Sequence, residues 1–297
     1  MTMTREGQWI SGLAALAVAA GSLWAQPEVP IQEQGWAYVP LRESPAATPA
    51  PQPVIDQQAL IEEQEWQRAI AFFQAIAVGD TATFQQLLNE GMNPDLEVPF
   101  PPPPELAAQF EDRRIRYYVS SEPGFTALML ASALGNESFV KMLLASGAKP
   151  NKMTHRHKTF ALWLAGKYGH IEIMRDLMRI GPDHVARTFR LAVSLAAQRA
   201  TLFQGDEIVL ETSISSGRKS HPTPTGRYVV TNKYKDWQST LYDAQMPYYL
   251  RLSCSDFGLH AGSLPGYPAS HGCVRLPAGN ARKLFALVPE GTLVEIW

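Results

Sequence analysis

Residues Thr126–Asn151 read TALMLASALGNESFVKMLLASGAKPN, and the pattern returns thirty-four residues on as FALWLAGKYGHIEIMRDLMRIGPD, from Phe160. The offset superposes Leu128 on Leu162, Ala131 on Ala165 and Gly135 on Gly169. Apolar residues recur at helical spacing on both sides of the first glycine, which predicts two short helices back to back. A glycine is favoured where a helix ends with positive φ, so Gly135 and Gly169 are expected to end the first helix of each unit. A second glycine follows twelve residues later, at Gly147 and Gly181, and is expected to end the second helix. A weaker copy begins at Gly79, GDTATFQQLLNEGMNPD, with its second glycine at Gly91.

These units resemble ankyrin repeats, whose period is about 33 residues and whose pattern is a turn and two antiparallel helices. The resemblance implies a helical stack over residues 57–185, with a protein partner as the class of ligand such repeats suggest. Three units are near the minimum for an independent stack, so the neighbouring domain is expected to support them. The first two units stand 56 residues apart, leaving 22 extra residues that include VPFPPPPELAAQF. Consecutive prolines cannot lie inside a helix, so residues 97–118 are expected to project as a loop. Helical order should start near Asp56, with Ile61, Trp66, Ile70 and Phe73 in register. His155 and His157 in THRHK are expected on an exposed turn.

Beyond GPDHVARTF the period changes to two. RLAVSLAAQ, ATLFQ, DEIVLETSI, GRYVVTN, YYLRLS and FGLHA are short β-type runs divided by Gly, Pro, Ser and Asn. One helix follows, carrying Ala281, Leu284, Phe285 and Val288, and TLVEIW closes the chain as a strand. The fold class expected is α+β and multidomain, with a mostly-β domain over residues 190–297.

That domain holds HAGSLPGYPASHGCVRLP, His260–Pro277, in a chain with only two cysteines. A thiolate is the nucleophilic form of cysteine, and a neighbouring histidine can take the proton if its other ring nitrogen is oriented. His260 ends a predicted strand and Cys273 follows a Gly/Pro loop, which can bring the two together. Gly272 permits a close approach, and amides near the cysteine could face a developing oxyanion. A zinc site of His260, His271 and Cys273 would need an open water position. The rest of the sequence supplies no fourth ligand at recognisable spacing.

At these residues the chain resembles the L,D-transpeptidase catalytic domain of the YkuD type, whose signature is a histidine followed by a loop ending in Ser-His-Gly-Cys-(Ile/Val)-Arg. SISSGRKSHPTPTGRYVV and GNARKLFALVPEGTLVEIW are also similar to its strand pair and its closing helix and strand. Ala261 stands where glycine is common. The resemblance implies Cys273 as nucleophile and His260 as general base, oriented by the Ala261 backbone carbonyl. His271, Arg275, Gly272 and Ser270 are the implied substrate contacts, and Tyr248 and Tyr249 are weighed as pocket or core. No metal or cofactor is implied. The implied substrates are peptidoglycan stem peptides: a tetrapeptide donor forms a thioester and an acceptor amine resolves it to a 3→3 cross-link. The alternatives are carboxypeptidase action, another acyl transfer or hydrolysis on peptidoglycan, and a non-catalytic wall-binding module.

Net charge is −2, with no basic block, which argues against nucleic acid as a partner. Residues 1–25 carry an early arginine, an apolar run and a small residue before a polar stretch, the layout of a secretory signal. The expectation is export to the periplasm or cell envelope, an uncleaved anchor being the alternative. Residues 26–56, rich in Pro and Ala, read as a linker. Cys254 is expected to be buried and apolar, with a disulfide to Cys273 as its rival.

Overall fold

A computed structural model describes residues 57–239, 243–253 and 256–297. The expected export signal and linker, and Cys254, lie outside the described residues.

Helix α1 spans Gln57–Val78 and α2 Thr81–Asn89. Asp80 caps α2, its carboxylate accepting the Thr83 amide at 3.0 Å, which satisfies one of the amides a helix start leaves unpaired. The later units repeat this hairpin as α5 Ala127–Leu134 with α6 Glu137–Ala145, and α7 Ala161–Tyr168 with α8 Ile171–Leu177. Gly135 and Gly169 end α5 and α7 at φ +78° and +75°. The first half of α1 is exposed, Ile61 and Trp66 included, and its packing begins at Ala69.

The stack is bound by aromatic and aliphatic contacts. Phe72 stacks on Phe84 at 4.4 Å, and Phe84 meets Phe139 edge-on at 4.8 Å, joining the first two units. Every residue from Ala127 to Ala133 of α5 is buried, so this helix has no solvent face and is held between its neighbours.

Two expectations need correction. The insertion is not a projecting loop, because α3 Pro104–Ala108 and α4 Arg113–Ser121 fold back onto the stack. Leu106, Phe110, Ile115 and Val119 are buried in the shared core. The last proline of the run sits at the first turn of α3, where a missing amide costs nothing. Gly181 does not end the final helix: α8 stops at Leu177, and the left-handed position falls on Arg179, φ +60°. Ile180 is thereby turned inward, close enough to Gly291 that a Cβ there would lie 2.9 Å from its Cγ1.

A short 3₁₀ turn, Val185–Thr188, leads into one eight-stranded sheet. Its strands are β1 Phe189–Ser194, β2 Arg199–Gln204, β3 Glu207–Ser213, β4 Gly226–Tyr234, β5 Tyr249–Leu252, β6 Gly258–Ala261, β7 Val274–Leu276 and β8 Leu293–Ile296, with α9 Ala278–Leu287 before β8. The order is β3-β2-β1-β8-β4-β5-β6-β7. Pairing is antiparallel except at β1–β8 and β6–β7. Strand β7, three residues directly after Cys273, is not among the strands read from periodicity.

The sheet and the stack share a core. Val229 of β4 belongs to the helical core, and Leu293 of β8 packs against it. Arg175 of α8 donates to the Gly291 carbonyl at 3.2 Å. In α7, Gly166 leaves room for the Ser253 carbonyl, which a Cβ would approach to 2.8 Å. The support expected for a three-unit stack is this joint.

His155–His157 form an exposed turn, pinned by the buried carboxylate of Glu122. Its Oε1 accepts the amides of Arg156 and His157 at 3.0 and 2.8 Å, and Oε2 lies 2.6 Å from His157 Nδ1. Burial raises the carboxyl, but these hydrogen bonds outweigh it and hold the pKa at about 2. Because the folded value lies below the ordinary 4.5, this stabilisation is complete above pH 4.5 and is lost as pH falls towards 2. Glu122→Gln should therefore cost about 1.5–3 kcal/mol near neutral pH, with the difference from wild type closing in acid. Urea unfolding at a series of pH values measures this, and a pH-independent gap would contradict it.

Candidate active site

The register of the last strands sets which side chains share a face. Leu250 pairs with Leu259 and Arg251 with Gly258, while Leu259 pairs with Val274 and His260 with Arg275. Side chains alternate along a strand, so Tyr249, Arg251, His260, Cys273 and Arg275 fall on one face. Leu250, Leu252, Leu259, Val274 and Leu276 fall on the other and build the domain core. One step back along the β6–β7 register, Gly258 stands beside Cys273. His260 is then the diagonal neighbour of the thiol, a position from which a side chain can reach it.

A cleft opens on this face, lined by Trp237, Met246, Tyr249, Arg251, Asp256, His260, Ser270, His271, Cys273 and Arg275. His260 is buried, and its Nδ1 lies 2.8 Å from the Ala261 carbonyl oxygen. A carbonyl can only accept, so in the neutral ring Nδ1 carries the hydrogen and Nε2 keeps the lone pair. Burial lowers the imidazole pKa below its ordinary 6.5, Arg275 adds to this, and the Ala261 hydrogen bond opposes it. Burial raises the partly buried Cys273 thiol, against the Gly258 amide and the Arg275 charge. Among the described residues no hydrogen bond joins His260 to Cys273. Both shifts favour the uncharged forms, and the two side chains share one wall of the cleft.

The loop from β6 to β7 is closed by polar clamps. Ser270 Oγ donates to the Cys273 carbonyl and accepts the Gly272 amide at 3.1 Å. Thr223 Oγ1 accepts the Gly217 amide at 2.8 Å and donates to the Gly272 carbonyl at 2.9 Å. Gly272 adopts φ +118°, a conformation natural only to glycine, which sets the turn into the cysteine. Its amide is spent on Ser270, so it is not one of the donors expected to face an oxyanion. Ser215 exchanges backbone hydrogen bonds with Arg275 at 3.0 and 2.9 Å, fastening the Ser215–Gly217 segment beside the loop.

Of the candidates, His260, Cys273, Ser270, His271 and Arg275 line the cleft; Gly272 lies buried behind it, and Ala261 contributes its carbonyl. Tyr249 lines the cleft, its ring 6.4 Å from that of His260, whereas Tyr248 turns away to Phe285 at 5.7 Å. Trp237, Met246, Arg251 and Asp256 escape sequence reading. Only Arg251 carried a signal, its two-residue spacing from Tyr249.

Fold and cleft together describe a sheet-rich domain with a thiol and a buried imidazole on one cleft wall, joined to a helical repeat stack. Residues 188–296 match the family model of the L,D-transpeptidase catalytic domain, YkuD, and residues 58–188 that of ankyrin repeats in three copies. YkuD of Bacillus licheniformis is 32% identical over 118 residues, 39% of this chain and 68% of that protein. YkuD of Bacillus subtilis is 30% identical over 118 residues, 39% of this chain and 70% of that protein. The chain belongs to the YkuD family of L,D-transpeptidases, which are acyltransferases, and carries ankyrin repeats ahead of that domain. Among solved structures, an L,D-transpeptidase from Mycobacterium smegmatis is similar at 19% identity and a TM-score of 0.36, over 37% of this chain and 58% of that one. One from Enterococcus faecium stands at 21% and 0.34, over 55% of this chain and 63% of that one. The chain thus spans less than two thirds of those solved chains.

Gly258 is the tightest point of the site: a Cβ there would lie 2.0 Å from the Leu250 carbonyl oxygen and 2.7 Å from the Tyr249 ring. Gly258→Ala should cost about 1–3 kcal/mol by overpacking and change the alkylation rate of Cys273 by moving the amide beside it. Chemical unfolding and iodoacetamide labelling read the two effects. Unchanged stability and labelling would show that β6 is not pressed against β5.

Proposed function

We propose that this protein is a cell-wall L,D-transpeptidase that forms 3→3 cross-links through a thioester on Cys273. The observation that carries the reading is one wall of one cleft holding a thiol and a buried imidazole, the latter with its lone pair on Nε2. His260 takes the thiol proton as Sγ attacks the carbonyl of the third, diamino residue of a tetrapeptide stem. The S–C bond forms, the C–N bond to the terminal D-Ala breaks, and the leaving nitrogen takes the proton from His260. An amine of a second stem then attacks the thioester and yields its proton to His260. The S–C bond breaks, and the sulfur recovers its hydrogen from the imidazolium. Water in place of the amine gives carboxypeptidase action from the same intermediate.

A neutral resting pair makes His260 a base at the moment of attack, with no standing ion pair. Such a base is worth about 10²–10⁴-fold in rate. The N-terminal pattern over residues 1–25 and a substrate in the wall both support export to the periplasm or envelope. Ankyrin repeats are interaction scaffolds in general, which supports a protein partner for the helical stack.

Incubation with a defined tetrapeptide stem, followed by mass spectrometry, should show D-Ala release and an acyl adduct on Cys273. Cys273→Ala should abolish both, and His260→Ala should slow acylation by about 10²-fold or more. Normal acylation in either variant would refute the roles. The sign of the pH dependence follows from burial: His260 protonates only below its ordinary 6.5, so acylation should persist under that value and fall further down. An acid limb above 6.5 would contradict a buried neutral base.

A further inference from the structure

The lip of the cleft beside Cys273 gathers positive charge that no acid answers. Arg275, two residues beyond the cysteine, lines the cleft; its stem lies over Gly262, where a Cβ would sit 3.0 Å from Arg275 Cγ. Arg218 comes from the segment fastened beside the loop, its amide donating to the Ser270 carbonyl at 3.0 Å. One of its guanidinium nitrogens lies 2.6 Å from His271 Nε2. A guanidinium can only donate, so His271 Nε2 accepts and the ring is neutral. Partial desolvation and the Arg218 and Arg275 charges push its pKa below the ordinary 6.5, and the His221 ring leans on it at 4.9 Å.

Among the described residues neither Arg218 nor Arg275 makes an ion pair, although Arg199, Arg227 and Arg251 of the same sheet all do. The cleft's own acid, Asp256, is already held by Arg251 at 2.5 Å. Arg275 lines the cleft and Arg218 meets it through His271, so two guanidiniums with no acid partner flank one histidine of the cleft wall, an arrangement suited to an anion. Arginine suits a carboxylate, because its planar fork can donate two parallel hydrogen bonds.

We propose that Arg218 and Arg275, with His271 bracing Arg218, form a subsite for the free carboxylate of the donor's last residue, so that the enzyme acts only at a chain end. This rests on the transpeptidase reading. In the step described above, the C–N bond that breaks frees a D-Ala whose carboxyl carbon stands two bonds beyond the departing nitrogen. A receptor flanking the nucleophile is within that reach. Arg275 is near enough to bias both the thiol and His260, which puts its charge in the same field as the reacting atoms. Arg218 contacts the leaving group itself, and His271 is the residue that positions Arg218.

The full chain is assayed for release of the third residue's substituent from three tetrapeptide donors: the free acid, its C-terminal carboxamide, and the free acid with the α-carboxyl of D-Glu amidated. Wild type should prefer the free acid over the C-terminal amide by roughly ten- to a hundredfold in kcat/KM, the range for one hydrogen bond to a charge. Amidation at D-Glu should leave the rate unchanged. Arg218→Gln should erase the preference, chiefly by raising KM for the free acid, and Arg218→Lys should restore part of it, returning the charge without the fork. Equal losses on acid and amide donors, or a preference that follows the D-Glu carboxyl, would overturn the subsite alone. No release from any donor by wild type would overturn the transpeptidase reading and this inference with it.

Discussion

Strands β6 and β7 run side by side in the same direction, with Leu259 opposite Val274, and the polar groups of the cleft take their places from that pairing. A shift of one residue would send His260 and Cys273 to opposite faces, since side chains alternate. The register is held by the apolar face. Leu259, Val274 and Leu276 are buried among the residues packed around α9, so a slip would carry them into the cleft and expose apolar surface at about 25 cal/mol per Å². Parallel neighbours need a connection of about a dozen residues. Here it is the Gly/Pro loop that ends at the cysteine. The chain thereby holds the Cys273 thiol at the mouth of a strand, with polar clamps from Ser270 and Thr223 on the loop that leads to it.

The same sheet anchors the helical stack. Val229 and Leu293 lie in its core, and Arg175 reaches across to Gly291. The strand that carries Val229 also pairs with β5, which bears Tyr249 and Arg251. Mechanical continuity runs from the third repeat through β4 to the cleft wall. Burial of apolar surface at the joint stabilises a stack that three hairpins alone would leave marginal.

Much of this was legible in the chain. The thirty-four-residue offset gave the hairpins, because the glycines at 135 and 169 do end helices in the left-handed conformation. Period-two runs located seven of the eight strands, and the His260 and Cys273 spacing pointed to one cleft. Three things were hidden. The proline run concealed α3 and α4, since Leu106, Phe110, Ile115 and Val119 gain their meaning only against a core that the sequence does not display. Strand β7 is too short for a period to register. Trp237, Asp256 and the Arg218–His271 contact depend on which loops meet, a property of tertiary packing with no local signature.

The central physical claim is that the resting site holds a neutral imidazole whose Nδ1 keeps its hydrogen on Ala261, beside a protonated thiol. Nitrogen NMR of the enzyme with labelled histidine reads this directly at neutral pH. The account predicts one protonated nitrogen, Nδ1, and one bare nitrogen, Nε2, for His260. A resonance pair showing both nitrogens protonated, and collapsing to the neutral form in Cys273→Ala, would reveal a standing thiolate–imidazolium pair and contradict it.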